Sequence, residues 1–247
     1  MNMLAAVLFS AIAGSFFNML IYRLNNGVAL FKPAHSICPS CRERLHWFEL
    51  VPVFSFLFLR GKCSSCGEKI PRHYLVLEII LIITALVLAR FFTGVELWQN
   101  LILFWFIWAI FFSDILYQEI PYAFSAGFCL LLFWLGLRGS LFNLLVWSIL
   151  FLFIKSLEKF YYKKPVFGGA DLLFFFVLAL YFSLAEYVLC IYAAFFSGLI
   201  ISLGLLALRK AGKDSLIPFA PFILLGFVLA QYAGSFFLQH LGLFYGL

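Results

Sequence analysis

Charge is what this 247-residue chain has least of: 11% of its residues are Asp, Glu, Lys or Arg, while 65% are hydrophobic. A soluble globular domain is about a quarter charged and about half apolar, so an ordinary water-soluble fold is excluded. Aspartate is scarcer still, with three in the chain: Asp114, Asp171 and Asp214. Also absent are a serine-nucleophile motif, a His-Glu-x-x-His pair, a P-loop and a glycine-rich nucleotide fingerprint, so the usual signals for serine hydrolase, zincin and nucleotidase chemistry are missing. No internal repeat or low-complexity linker is evident. No basic residue precedes the first apolar run, which argues against removal of that run as a signal peptide, although Ala11-Ile12-Ala13 resembles a cleavage site.

What is present is apolar length. Runs of about 20 residues, enough for a helix to cross a bilayer, recur along nearly the whole chain. Eight spans are expected: Leu4–Tyr22, Tyr74–Phe92, Leu97–Leu116, Tyr122–Leu137, Leu141–Leu157, Asp171–Ala185, Tyr187–Leu208 and Ile217–Leu238. The breaks fall at Gly94, Pro121, Gly136 and Gly139, Pro165 with Gly168 and Gly169, Gly212 and Pro218, residues that end helices for backbone reasons. A further boundary is placed near Glu186. The expected class is an all-α polytopic membrane protein of about eight transmembrane helices. Its organisation would be a first transmembrane helix over residues 1–23, a small cytoplasmic four-cysteine loop domain over 24–73, and a seven-helix membrane domain over 74–247.

A net charge of +6 would suggest nucleic acid in a soluble protein. Here the positive charge sits in loops, so no nucleic-acid partner is expected and the lipid bilayer is the partner instead. Fifteen of the seventeen Lys and Arg residues fall in Arg23–Arg72, Lys155–Lys164 and Arg209–Lys213; only Arg90 and Arg138 lie elsewhere. With eight spans those three loops share one side. The positive-inside rule then puts the long loop in the cytoplasm and both termini outside.

Cys38-Pro39-Ser40-Cys41 and Cys63-Ser64-Ser65-Cys66 lie 21 residues apart in the long loop. Four thiolates in two such pairs can close a tetrahedral structural zinc site, with Gly61 and Gly67 permitting the turns. A redox dithiol is the rival reading. Disulfides suit a reducing compartment poorly. His35, His46 and His73 lie nearby, but the cysteines already complete a ligand set. Cys129 and Cys190 read as small apolar residues in their spans. Val51–Leu59 is apolar but too short to cross, so it is expected to form a small core or an interfacial segment.

Asp214 sits in a basic loop and reads as a solvated charge. Asp114 closes the third span and Asp171 opens the sixth, which puts both at the same depth on the cytoplasmic side. Acids in membrane helices are costly and mark function. Two carboxyls about 3 Å apart share one proton; the ionised one can activate water and the protonated one can polarise a peptide carbonyl. The catalytic pair read from the sequence is Asp114 and Asp171.

Several further stretches, in order along nearly the whole chain, resemble the type IV prepilin peptidase family. They are Gly14-Ser15-Phe16-Phe17-Asn18 with Tyr22-Arg23-Leu24, Glu49-Leu50-Val51-Pro52 with Ser55, Leu59-Arg60-Gly61-Lys62-Cys63, and Ile70-Pro71-Arg72-His73-Tyr74 with Glu78. Asp114 with Ile120-Pro121, Gly168-Gly169-Ala170-Asp171 and Pro218-Phe219-Ala220-Pro221-Phe222 continue the likeness. The chain departs from that pattern at Ala170 (glycine), Leu173 (commonly lysine), Asn25 (proline) and Tyr122 (an acid).

The resemblance implies an enzyme of the bacterial cytoplasmic (inner) membrane. It would cut a short basic leader after a glycine from type IV prepilin or pseudopilin substrates of pilus or type II secretion systems. It would then methylate the new amino terminus with S-adenosylmethionine. The resemblance also offers Gly14, Ser15, Asn18, Arg23, Gly61 and Glu78 as substrate- or cofactor-binding residues. Helix packing for the small ones, topology for Arg23 and a loop-arginine partner for Glu78 are the alternatives. An intramembrane aspartyl protease with other substrates, or an inactive scaffold of the same fold, are the rival functions.

Overall fold

The structure is a computed structural model that describes residues 2–30, 33, 35–137, 139–162, 168–209 and 217–240. Its helices are α1 (Asn2–Asn25), a short α2 (Phe54–Phe58), α3 (Arg72–Phe91), α4 (Gly94–Tyr117), α5 (Tyr122–Leu135), α6 (Leu141–Leu157), α7 (Gly169–Tyr181), α8 (Leu184–Ala207) and α9 (Ala220–His240). No strand occurs among the described residues, only two isolated bridges. Five helices are long and apolar enough to cross a membrane, and α5, α7 and α9 are shorter apolar helices. The chain is an all-α, multi-pass membrane protein. Asp214, Pro165, Gly212, Lys163, Lys164 and Arg138 lie outside the described residues.

The helix starts follow local chemistry. Pro71 and Pro121 stand just before α3 and α5 with φ of −57° and −56°, a geometry fixed by the ring and suited to a helix entrance. The boundary expected near Glu186 lies earlier. Ser183 is the N-cap of α8, and Glu186 reaches back to its backbone N–H at 3.1 Å and its hydroxyl at 2.9 Å. Glu186 is the third residue of a capping box, and so starts a helix where the apolar pattern alone had it ending one.

The chain divides into two compact units, Met1–Ser113 and Asp114–Leu247. In the first, Ala6 of α1, Ala85 and Leu88 of α3, and Leu97 and Leu101 of α4 form a buried apolar cluster. Polar ties run between the same helices: Trp105 Nε1 donates to Ser10 Oγ and Trp108 Nε1 to Thr84 Oγ1, each at 3.1 Å, and Asn25 Nδ2 donates to Ser113 Oγ at 2.9 Å. The loop between α1 and α3 contains a repeat that the sequence reading missed. Cys38-Pro-Ser-Cys41-Arg42-Glu43-Arg44 and Cys63-Ser-Ser-Cys66-Gly67-Glu68-Lys69 adopt the same knuckle. Cys38 N–H bonds Glu43 O at 3.0 Å and Cys63 N–H bonds Glu68 O at 2.9 Å. Ile37 bridges Arg44 as Lys62 bridges Lys69. The residue after the second cysteine has positive φ in both, 59° at Arg42 and 71° at Gly67; glycine meets this freely and arginine at some strain.

In the second unit Phe128, Phe174, Phe182 and Phe227 bury their rings together, with Phe182 and Phe227 centroids 5.4 Å apart. Asn143 on α6 is fully buried and donates to Ala179 O at 3.0 Å and Phe182 O at 2.6 Å, satisfying carbonyls that the end of α7 leaves open. Gly139 N–H bonds Leu180 O at 2.8 Å, and a Cβ at Gly139 would collide with the Ala179 and Leu180 backbone. A Cβ at Gly226 of α9 would likewise collide with the Cys190 carbonyl oxygen of α8. Small residues at such crossings let membrane helices approach.

Candidate functional site

Asp114 lies in the last turn of α4, which ends at Tyr117; Gln118 follows with φ 55° and donates its N–H to Asp114 O at 2.9 Å. Ile120-Pro121 then turns the chain into α5. Asp171 is the third residue of α7, whose N-cap is Gly168. Asp114 and Asp171 line one open cavity of about 520 Å³ with Gly168, Gly169, Ser125 and Tyr122. Asp171 lies within electrostatic range of Asp114. Asp114 is 7% exposed, and its Oδ2 accepts the backbone N–H of Ala220, the first residue of α9, at 3.0 Å.

The glycines of this stretch have separable roles. A Cβ on Gly168 would sit 3.3 Å from Asp171 Oδ2 and crowd the carboxyl, whereas one on Gly169 would meet nothing within 4 Å. Ala170 is inside the first turn of α7 and is not among the positive-φ residues, so alanine there fits its backbone. Leu173 lines the cavity at the position where the resemblance offers lysine.

The second unassigned feature lies in the first unit. A cavity of about 400 Å³ is lined by Ser15, Asn18, Arg23 and Glu78, with Glu49, Ser55 and the knuckle cysteines Cys38 and Cys63. Asn18 Nδ2 donates to Tyr74 O at 2.9 Å, and Glu78 Oε2 accepts the Val53 N–H at 2.7 Å. Arg23 is 4% exposed, and its guanidinium donates to Ala29 O, Leu30 O and His35 O at 3.1, 2.6 and 2.8 Å. It ties down the chain leaving α1 as well as lining the cavity. Gly14 and Gly61 are not among the lining residues. Gly14 packs against the Glu78 backbone, and Gly61, at φ 66°, faces the Phe56 ring.

The Sγ atoms of Cys38, Cys41, Cys63 and Cys66 lie within 4.8 Å of one another, with Cys38 to Cys66 at 4.0 Å. A tetrahedral site with Zn–S bonds of about 2.3 Å has sulfurs about 3.8 Å apart, so the four fit a zinc ion. The thiols split sharply. The Cys66 backbone N–H pulls Cys63 down to about 7. Exposed Cys41 is drawn down by the Glu43 N–H, yet the neighbouring Cys38 and Cys66 thiols push it up to about 12. Four thiolates this close need a cation between them. Glu49 supports the arrangement: its Oε2 accepts His46 N–H and its Oε1 accepts Ser64 Oγ–H, both at 2.7 Å. Burial works against its charge, but these donors prevail and hold its carboxyl below the usual value. Ser64 lies inside the second Cys-x-x-Cys, so Glu49 braces that pair.

Comparison with known proteins follows this geometry. The bacterial peptidase A24 N-terminal domain family matches residues 8–92. A protein of Bacillus subtilis named prepilin leader peptidase/N-methyltransferase is 28% identical over 92% of this chain and 93% of its own length. Proteins of the same name from Dichelobacter nodosus and Vibrio cholerae are 31% and 39% identical over 56% and 31% of this chain. Those two alignments span 57% and 33% of the relatives' lengths. No solved structure matches.

Proposed function

We propose that the chain is a prepilin leader peptidase, which removes the leader of type IV prepilin-like proteins with Asp114 and Asp171 as its acid–base pair. One observation carries this reading: the two carboxyls line the same cavity, within electrostatic reach. Two such groups favour a single shared charge. Asp114, with its oxygen on the Ala220 N–H, suits the ionised role, and Asp171 the protonated one.

The step balances without a covalent intermediate. Water gives one proton to Asp114 while its oxygen bonds the scissile carbonyl carbon, and Asp171 protonates the carbonyl oxygen. The tetrahedral diol then collapses. The C–N bond breaks as Asp114 returns its proton to the leaving nitrogen, and a diol hydroxyl gives its proton back to Asp171. The products are a carboxylic acid and an amine, with both aspartates restored.

The same reading gives the second unit's partner activity to the first unit. Cys38, Cys41, Cys63 and Cys66 hold a structural zinc ion, and the cavity above them takes S-adenosylmethionine. That molecule supplies a methyl group on a cationic sulfonium. Glu49, Glu68 and Glu78 line the cavity beside Arg23 and Lys69, so acids face the sulfonium and ammonium of the ligand and cations its carboxylate; Ser15 and Asn18 add polar groups to the wall. The Lys and Arg excess of the loops supports a cytoplasmic position for this side, at the inner membrane.

The test incubates purified protein with a prepilin peptide and S-adenosylmethionine and weighs the products. A mass loss equal to the leader, absent from Asp114→Asn and Asp171→Asn, supports the peptidase. Cleavage of a generic membrane helix but not of the prepilin favours a different intramembrane aspartyl protease. Intact peptide with wild-type protein, alongside normal assembly function in the double variant, favours an inactive scaffold.

A further inference from the structure

The segment before the second knuckle is held by an unusual backbone device. Phe54 N–H bonds Pro52 O at 2.7 Å across Val53, whose φ and ψ are 65° and −51°. This is the positive-φ form of the γ-turn, rare and strained, the more so for a β-branched residue. It leaves the Val53 N–H pointing outward, and Glu78 Oε2 takes it at 2.7 Å. Glu78 is 8% exposed and stands six residues into α3. At 1.5 Å per residue that is about 9 Å below the helix start. With 20 residues, α3 is about as long as the hydrocarbon core is thick, about 30 Å, and exposed Arg72 marks its polar end. The bond to Glu78 therefore fixes the turn at or just below the headgroups.

The side chains around this turn face outward. Phe54 is 73% exposed, Leu57 61%, Phe58 88% and, just upstream, Trp47 80%. Exposed Arg60 and Lys62 follow directly. An aromatic patch beside cations, placed at this depth, has the chemistry of the membrane interface. It is continuous in depth with the exposed Val76 and Ile79 side chains of α3.

We propose that Trp47, Phe54, Leu57 and Phe58 form an interfacial foot that enters the headgroup–acyl boundary of the leaflet where α3 begins. Arg60 and Lys62 meet anionic lipid phosphates, and Glu78 is the latch that sets the depth. The occupant is a lipid surface, because the patch is anchored to a spanning helix and flanked by positive charge. The inference is independent of the cleavage chemistry.

The test places full-length protein in nanodiscs of phosphatidylcholine and phosphatidylglycerol, with and without brominated acyl chains. Subtracting the emission of Trp47→Phe from that of the wild type isolates Trp47. Brominated lipid is expected to quench this difference by about half or more, as for a side chain buried a few ångströms into the interface. Phe58→Trp is expected to add emission that the same lipid quenches. Glu78→Ala lowers the quenching of Trp47, while Glu78→Gln, which keeps an acceptor oxygen, largely retains it. Trp47 emission quenched by aqueous acrylamide but not by brominated lipid overturns the proposal. So does quenching that is absent in lipid alone and emerges only with prepilin peptide or on self-association. If Glu78→Ala fails to insert, the Trp47 and Phe58 measurements still decide the matter.

Discussion

Ala220 holds Asp114: the first backbone N–H of α9 meets the Asp114 carboxylate at 3.0 Å in a buried setting. Because Ala220 is the first residue of its helix, proline can replace it without losing an intrahelical bond. Ala220→Pro thus removes the N–H and puts a ring carbon in its place, which displaces the Asp114 oxygen. Loss of a hydrogen bond to a charged group costs about 1.5–3 kcal/mol, so leader cleavage is expected to fall about 10- to 100-fold. Ala220→Gly, which keeps the N–H, stays near wild type. Initial-rate assays of the two variants give the comparison, and equal rates would remove Ala220 from the mechanism.

Asp114→Asn and Asp171→Asn each remove a proton acceptor or donor from the cavity without changing side-chain volume much. Each is expected to lower cleavage by about 100-fold or more, the usual contribution of a positioned acid or base. Thermal unfolding in detergent should show both variants folded. A variant that retains wild-type rate excludes that aspartate.

Ser125 lies on α5 beside the same cavity, and its buried hydroxyl has no hydrogen-bond partner among the described residues. An unsatisfied buried hydroxyl destabilises a fold unless something else uses it. Ser125→Ala is expected to leave stability unchanged or slightly raised while lowering cleavage several-fold. Unchanged rates would show that the hydroxyl takes no part in binding substrate or water.

Zinc removal gives a fourth measurement. The purified chain should contain one zinc ion, lost on replacing any of Cys38, Cys41, Cys63 or Cys66 by serine and retained in Cys129→Ser. Loss of the metal should expose the segment between α1 and α3 to protease, because metal binding supplies much of the folding free energy of such a loop. Metal analysis and limited proteolysis test this together.

Gly139→Ala tests the packing at the end of α7. The added methyl meets backbone carbonyls of residues 179 and 180, which cannot rotate away. Overpacking of this kind costs about 1–3 kcal/mol, read as a fall in unfolding temperature. Gly169→Ala, where the methyl meets nothing, should leave that temperature unchanged.

Much of this was legible in the sequence where one physical signal dominates. Apolar run length gave the helices to within a few residues, and rarity plus topology singled out Asp114 and Asp171. The cysteine spacing matches the sulfur cluster. What escaped depended on backbone geometry or long-range bonds. The knuckle repeat was hidden because Arg42 occupies the positive-φ position that Gly67 announces. Ser183 and Glu186 form a local cap that hydropathy does not register. Nothing in the motifs that contain Gly14 and Gly61 announces their neighbours, Glu78 and Phe56. Nothing in the local sequence marks the Ala220 N–H as the partner of a residue 106 positions earlier.

Two of the helices that open onto the aspartate cavity are short. α5 has 14 residues and α7 has 13, or about 20 Å each against a hydrocarbon core of about 30 Å. The mismatch leaves roughly a third of the bilayer's thickness to be made up by water or by pinched lipid beside them. The proposed hydrolytic site, at the ends of α4 and α7, would be hydrated through the shortfall of its own walls. A peptide bond next to a transmembrane anchor can reach it without the anchor having to leave the membrane.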